Sequence, residues 1–140
     1  MNKPELGTTM HRPRILLADD HRAILERASG LLNVLFDVVA IAANGEDLIR
    51  EAKLLNPDVI VADITMPIVS GIEAAHELRE AGSSAKFIFL TVHQQTEFLD
   101  ACWSEGALGY VVKSRMYTDL IPAIEKVLAG EQFVSPVVFQ

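Results

Sequence analysis

Short apolar runs recur along the chain, and most of them end in a polar side chain. Arg14-Ile-Leu-Leu-Ala leads into Asp19-Asp20, Val59-Ile-Val-Ala into Asp63, Phe87-Ile-Phe-Leu into Thr91 and Tyr110-Val-Val into Lys113, while Val38-Val-Ala-Ile-Ala42 ends without a charge. Between the runs the apolar positions fall at helical spacing. Ile24, Leu25, Ala28, Leu31, Leu32 and Leu35 keep one face apolar after Asp20. Asn44-Gly45-Glu46-Asp47 opens a second helix with acids at its positive end, and Pro57 requires that helix to stop before it. Ser70-Gly71-Ile72-Glu73 has the form of a capping box for a third helix, with Gly82 as its stop. Thr96 is the cap expected for a fourth helix ending near Gly106, whose stripe of Phe98, Ala101 and Cys102 is thin and predicts a weakly held element. The fifth carries Leu120, Ile121, Ile124, Val127 and Leu128, and Pro122 fits its first turn if it begins near Thr118.

Five strands and five helices in strict alternation predict an α/β fold, a doubly wound parallel sheet closed by right-handed crossovers. Every run ending then lies on one rim, where open α/β sheets bind their ligands. At 140 residues the chain makes one domain with a core that needs no staples. Residues 1–12 read as a flexible leader, 13–130 as the domain and 131–140 as the start of a linker. The polar start lacks a signal-peptide core and no apolar stretch is long enough to cross a bilayer, so no membrane role and cytoplasmic residence are expected. The single cysteine, Cys102, excludes an internal disulfide. A net charge of −7 argues against this segment gripping nucleic acid by itself, and suits a metal-attracting rim.

The rim residues each have an ordinary explanation and a chemical one. Asp19 or Asp20 caps the next helix in the first; in the second, two adjacent acids repel unless a cation such as magnesium lies between them. Asp63 is a turn residue, or a carboxylate that attacks phosphorus. Thr91 and Lys113 are common at strand ends, or supply a hydroxyl and a cation to phosphoryl oxygens. His11, His21 and His76 lack metal-ligand spacing and read as surface or cap residues, while Trp103 is a core edge or a partner surface.

Four elements stand in order at these strand ends: Leu-Leu-Ala-Asp19-Asp20-His21, Asp63-Ile-Thr-Met-Pro67 with Gly71, Thr91, and Gly106-Ala-Leu-Gly-Tyr110-Val-Val-Lys113. Together, from about Arg14 to Gly130, they resemble the receiver domain of bacterial two-component response regulators. Ala-Asp-Asp-His21-Arg and Gly130-Glu-Gln-Phe-Val-Ser135-Pro136 look most like the NarL/FixJ branch, with its LuxR-type output. The resemblance implies a flavodoxin-like sheet of order 2-1-3-4-5, with Asp63 accepting a phosphoryl group from a sensor histidine kinase. It implies magnesium held by Asp20, Asp63 and the main-chain carbonyl of Thr65, with Asp19 acting through water. Thr91 and Lys113 would take the phosphoryl oxygens. Tyr110 matches the family's switch aromatic and is expected half-buried with a wet hydroxyl at rest, turning into space vacated by Thr91 on activation. Thr65 and His93 match positions that tune the lifetime of the acyl phosphate.

These features make the chain a regulatory switch rather than an enzyme acting on a metabolite. Its expected partners are the kinase and, on phosphorylation, a second copy. DNA is expected only through a helix-turn-helix domain outside these residues. The rivals are an interaction domain that has lost the chemistry and a magnesium-dependent phosphohydrolase, which needs Asp-x-Asp after the first strand. A flavin module would need a Ser/Thr/Gly-rich loop where Asp-Asp-His-Arg stands.

Overall fold

The computed structural model describes residues 12–140, so the proposed leader and His11 lie outside the described residues, apart from Arg12. Arg12 is anchored, its guanidinium donating to the carbonyls of Asn33 and Phe36 at 2.6 and 3.0 Å.

The described chain alternates β1 (Arg14–Ala18), α1 (Arg22–Leu32), β2 (Asp37–Ala42), α2 (Gly45–Leu55), β3 (Val59–Ala62), α3 (Gly71–Glu80), β4 (Lys86–Thr91), α4 (Thr96–Ser104), β5 (Gly109–Val112), a 3-10 turn at Lys113–Arg115, α5 (Met116–Leu128) and β6 (Phe133–Val134). All strand pairs are parallel, in the order β2-β1-β3-β4-β5-β6. The expected five-strand order is present and extended by one strand at the β5 edge.

Period-two alternation splits the apolar strands between two cores. Leu16, Ala18, Ile60, Ala62, Phe87, Phe89 and Tyr110 face one way, toward α2, α3 and α4. Ile15, Leu17, Val59, Val61, Ile88, Leu90 and Val111 face the other, where α1 and α5 cover them. β1, β3, β4 and β5 lie inside the sheet, and burial on both faces is why their runs are continuously apolar.

The second and third helices begin as their sequences predict. The Asn44 side chain accepts from the Asp47 N–H, and Ser70 and Glu73 form the reciprocal capping box. α2 ends at Leu55, before Pro57, through a left-handed Asn56. Gly82 follows α3 at φ 85°, the left-handed conformation that glycine adopts without steric cost.

Three expectations are corrected. Gln95, not Thr96, precedes α4, and no side chain caps that helix. α5 starts at Met116, so Pro122 is its seventh residue and lies inside the helix. The missing N–H leaves the Thr118 carbonyl without its helical donor, on a stretch of the helix where Thr118 and Pro122 are both exposed to solvent. Finally, Glu131–Gln140 does not leave the domain as a linker: Phe133–Val134 pairs with β5, and Ser135 is buried behind it. Among the described residues no helix is long and apolar enough to cross a membrane.

Candidate functional site

β1 and β3 are neighbours at the point where successive crossovers leave in opposite directions, and their carboxyl ends carry the acids. Ladder bonds run one residue past each strand and fix both main chains. The Asp19 N–H donates to the Ala42 carbonyl at 3.0 Å, and the Asp63 N–H to the Ala18 carbonyl at 2.9 Å. Both aspartates are nearly enclosed, at 2% and 5% exposure, whereas the Asp20 side chain is a third exposed.

Lys113 enters from the first residue after β5. Its Nζ lies 2.8 Å from Asp19 Oδ2 and 3.0 Å from Asp63 Oδ2. Burial works against the ammonium charge, but close contact with the two carboxylates outweighs it, and the pKa lies above the ordinary lysine value. Asp63 Oδ1 accepts from the Ile64 N–H at 2.7 Å. Asp19 Oδ2 is buried and takes no directed hydrogen bond, so the ammonium's charge alone offsets it.

Ligand atoms of Asp19, Asp20, His21 and Asp63 all lie within 4.8 Å of one another. Hard carboxylate oxygens, one of them buried without a directed donor, form a donor set that suits magnesium. His21 is the member that sequence spacing missed. It occupies the α1 cap position without a side-chain capping bond, and its largely exposed ring places Nδ1 3.1 Å from Asp19 Oδ1 and 3.2 Å from Asp20 Oδ1. Its direct adjacency to the acid pair was the available signal.

A second cluster centres on His93. The Thr91 hydroxyl accepts from the His93 N–H at 3.2 Å, and the Tyr110 hydroxyl donates to the His93 carbonyl at 2.9 Å. His93 Nε2 lies 3.0 Å from Thr65 Oγ1, and the ring stacks on Phe98 at 4.1 Å between centroids. Thr65, Thr91, His93 and Tyr110 thus form one connected group joining the loops after β3 and β4. Tyr110 departs from the expected resting state: its side chain is fully buried and its hydroxyl bonded, and burial pushes the phenol pKa up. Trp103 is partly buried against the core of the α4 face.

The β3–α3 loop folds tightly over the site. The Gly71 N–H donates to the Ile64 carbonyl at 2.7 Å, and any Cβ at Gly71 would collide with the Asp63 carbonyl. That close approach explains the glycine four residues after Pro67. Beside Asp19 and Asp20 a groove of about 690 Å³ opens between α1 and the end of β2, lined by Arg22, Leu25, Glu26, Ile41 and Asp47.

Comparison with known proteins agrees with this geometry. Residues 15–125 match the model of the response regulator receiver domain. The chain is 35% identical over 125 residues to the transcriptional regulatory protein YvfU of Bacillus subtilis, covering 88% of this chain and 62% of that protein. It is 33% identical over 123 residues to the nitrate/nitrite response regulator NarL of Escherichia coli, covering 86% and 57%. A crystal structure of a LuxR-family two-component response regulator from Aurantimonas sp. SI85-9A1 superposes with TM-score 0.85 at 36% identity, over 89% of this chain and 91% of that one. The chain spans about three-fifths of the length of the curated relatives it matches.

Proposed function

The chain belongs to the response regulator receiver family, and from that premise we propose a phosphorylation-activated switch of the NarL/LuxR type whose phosphoacceptor is Asp63. The supporting observation is the pair of holds on one carboxylate at the strand-end crevice, Ile64 N–H on Oδ1 and the Lys113 ammonium on Oδ2. They orient the group, and the ammonium is in place for the negative charge that arrives with a phosphoryl group.

The donor is a phosphohistidine of a sensor histidine kinase, presented over the groove beside Asp19 and Asp20. A carboxylate oxygen of Asp63 forms the O–P bond as the histidine N–P bond breaks, and the imidazole nitrogen leaves with the electron pair. Asp20, Asp63 and the Thr65 main-chain carbonyl would hold magnesium, with Asp19 through water. When bound, that ion neutralises charge shared by the carboxylates and the phosphoryl oxygens. Lys113 then exchanges its contact with Asp63 Oδ2 for a phosphoryl oxygen while keeping Asp19.

Thr91 completes the set by turning its hydroxyl from the His93 N–H toward the phosphoryl group. Loss of that bond frees the residue whose carbonyl holds Tyr110, which is how occupancy of the site reaches the switch aromatic. The Thr65–His93 hydrogen bond stands over the site and tunes how long the acyl phosphate survives attack by water. The chain turns over no external substrate. Its further partners are a second copy on phosphorylation and DNA, through a helix-turn-helix domain encoded beyond these residues, in the cytoplasm.

Intact-protein mass after incubation with acetyl phosphate and magnesium tests the reading. The expected result is a gain of one phosphoryl group in the wild type and none in Asp63→Asn or in the presence of EDTA. No gain in folded wild-type protein, with acetyl phosphate and with a phosphorylated histidine kinase, would overturn it.

A further inference from the structure

Residues 133–140 run back across the α4–β5 side of the domain in two unlike halves. The first is built in. Phe133 and Ser135 donate main-chain N–H groups to the carbonyls of Leu108 and Tyr110, at 2.9 Å each. The Ser135 hydroxyl donates to Asp119 Oδ2 at 2.7 Å and accepts from the Val112 N–H at 3.0 Å, and Arg115 holds the same carboxylate. Pro136 is exposed, and beyond it the second half rests on different ground.

That second half packs Phe139 against the core of the α4 face and bonds to the loop before α4 and the start of that helix. The Phe139 ring meets the Tyr110 ring edge-on at 5.6 Å. The Gln140 N–H donates to the Gln94 carbonyl at 3.0 Å, and the Gln140 carbonyl accepts from the Thr96 N–H at 2.8 Å. The Gln94 side chain donates to the Val138 carbonyl at 3.2 Å. Gln140 therefore supplies a backbone cap for a helix whose own N-cap side chain makes no capping bond.

His93 lies between the two systems. Its neighbours Gln94 and Thr96 hold the end of the segment, while its own N–H and carbonyl hold Thr91 and Tyr110. Any movement of Thr91 toward the acids disturbs the loop that carries both of Gln140's partners and the ring that Phe139 packs on. We infer that residues 133–140 are a state-dependent strap: Ser135 anchors it permanently, and Val137–Gln140 is seated in the resting domain and released when Thr91 and Tyr110 rearrange. The strap is the element through which the switch acts on whatever follows in the chain. This rests on Asp63 being the phosphoacceptor, since phosphorylation supplies the driving contact.

Linkage makes the coupling reciprocal, because whatever loosens the strap must favour the rearranged state. The test is amide hydrogen exchange resolved by NMR on the 140-residue chain, with the phosphorylated fraction measured by intact mass in the same sample. On phosphorylation, exchange of the Gln140 and Thr96 amides should rise roughly tenfold or more, while Phe133 and Ser135 stay protected. Phe139→Ala should show the same loosening without phosphorylation and accept phosphate from acetyl phosphate roughly threefold faster or more.

A mass gain with Gln140 and Thr96 as protected as in Asp63→Asn would overturn the strap and leave the phosphoacceptor standing. Uniform loss of protection through Ser135 would overturn its two-part construction. If no mass is gained, the phosphoacceptor reading falls, and Tyr110→Leu decides the strap. Unchanged Gln140 protection in that folded variant removes the coupling, and selective loss at Gln140 and Thr96 retains it.

Discussion

Helices α4 and α5 cover opposite faces of the sheet beside the same strand, β5, and are held very differently. α5 buries Met116, Asp119, Leu120, Ala123, Ile124 and Val127 along its 13 residues, whereas α4 buries Cys102 alone along its nine. α5 is also locked to its surroundings by the Arg115–Asp119–Ser135 cluster; α4 begins on main-chain bonds to the end of the chain. The difference sorts the rim residues by mount. Lys113 lies in the turn that feeds α5, so the ammonium that pairs the acids stands on the rigid side. Thr91 ends β4 and His93 lies on the loop that feeds α4, so the groups proposed to move stand where the chain leads into the less firmly held helix.

The largest effect expected from this contrast is in the cores themselves. Ile124→Ala, in α5, should cost about 2–5 kcal/mol in urea unfolding, as a full cavity does. Leu99→Ala, half-buried in α4, should cost less than about 1.5 kcal/mol. Equal costs would break the contrast. Next in size is Ser135→Ala, which strips a partner from buried Asp119 and leaves the Val112 N–H unpaired. It should cost about 1–3 kcal/mol by the same measurement, lost from the α5 side.

The smallest effect isolates α4. Burial pushes the Cys102 thiol from the ordinary 9.0 up to about 12. The native state therefore keeps the proton that the unfolded chain releases above pH 9, so stability falls as pH rises through that range. Tyr110 and Lys113 are also raised, but from 10.0 and 10.5, so Cys102 carries the larger part of the decline just above pH 9. Its slope should reach at most about 1.4 kcal/mol per pH unit, and Cys102→Ala should flatten it in pH-dependent unfolding. A slope left unchanged by that substitution would mean that burial of the α4 thiol does not contribute to it.

The sequence made the rim legible because its signals are local. A buried strand announces itself by a continuous apolar run, and Asp63 and Lys113 stand immediately where two such runs stop. The caps at Asn44 and Ser70 depend on residues three positions apart, and the thin stripe of α4 is a matter of counting one face. What escaped depends on tertiary partners. β6 is two residues long, too short for any period, and exists because β5 offers it an edge. α5 starts two residues early because the 3-10 turn at Lys113–Arg115 feeds directly into it, and solvent on the Pro122 face tolerates the lost bond. Tyr110 is dry rather than wet because the His93 carbonyl and the Phe139 ring close over it, and neither is adjacent to it in sequence. His21 looked like a plain cap because the direction of its ring is set by two carboxylates rather than by helix pattern.

The buried carboxylate of Asp119 also bears on how such a module is cut and moved between proteins. A chimera joined at Gly130, where α5 has ended, would carry Asp119 without Ser135 and leave β5 with an open edge. A junction placed after Gln140 takes the whole hydrogen-bonded unit across intact. For anyone grafting this domain onto a foreign effector, the portable piece extends at least to Ser135, where the side-chain bonding of the fifth helix is complete, seven residues beyond the helix itself.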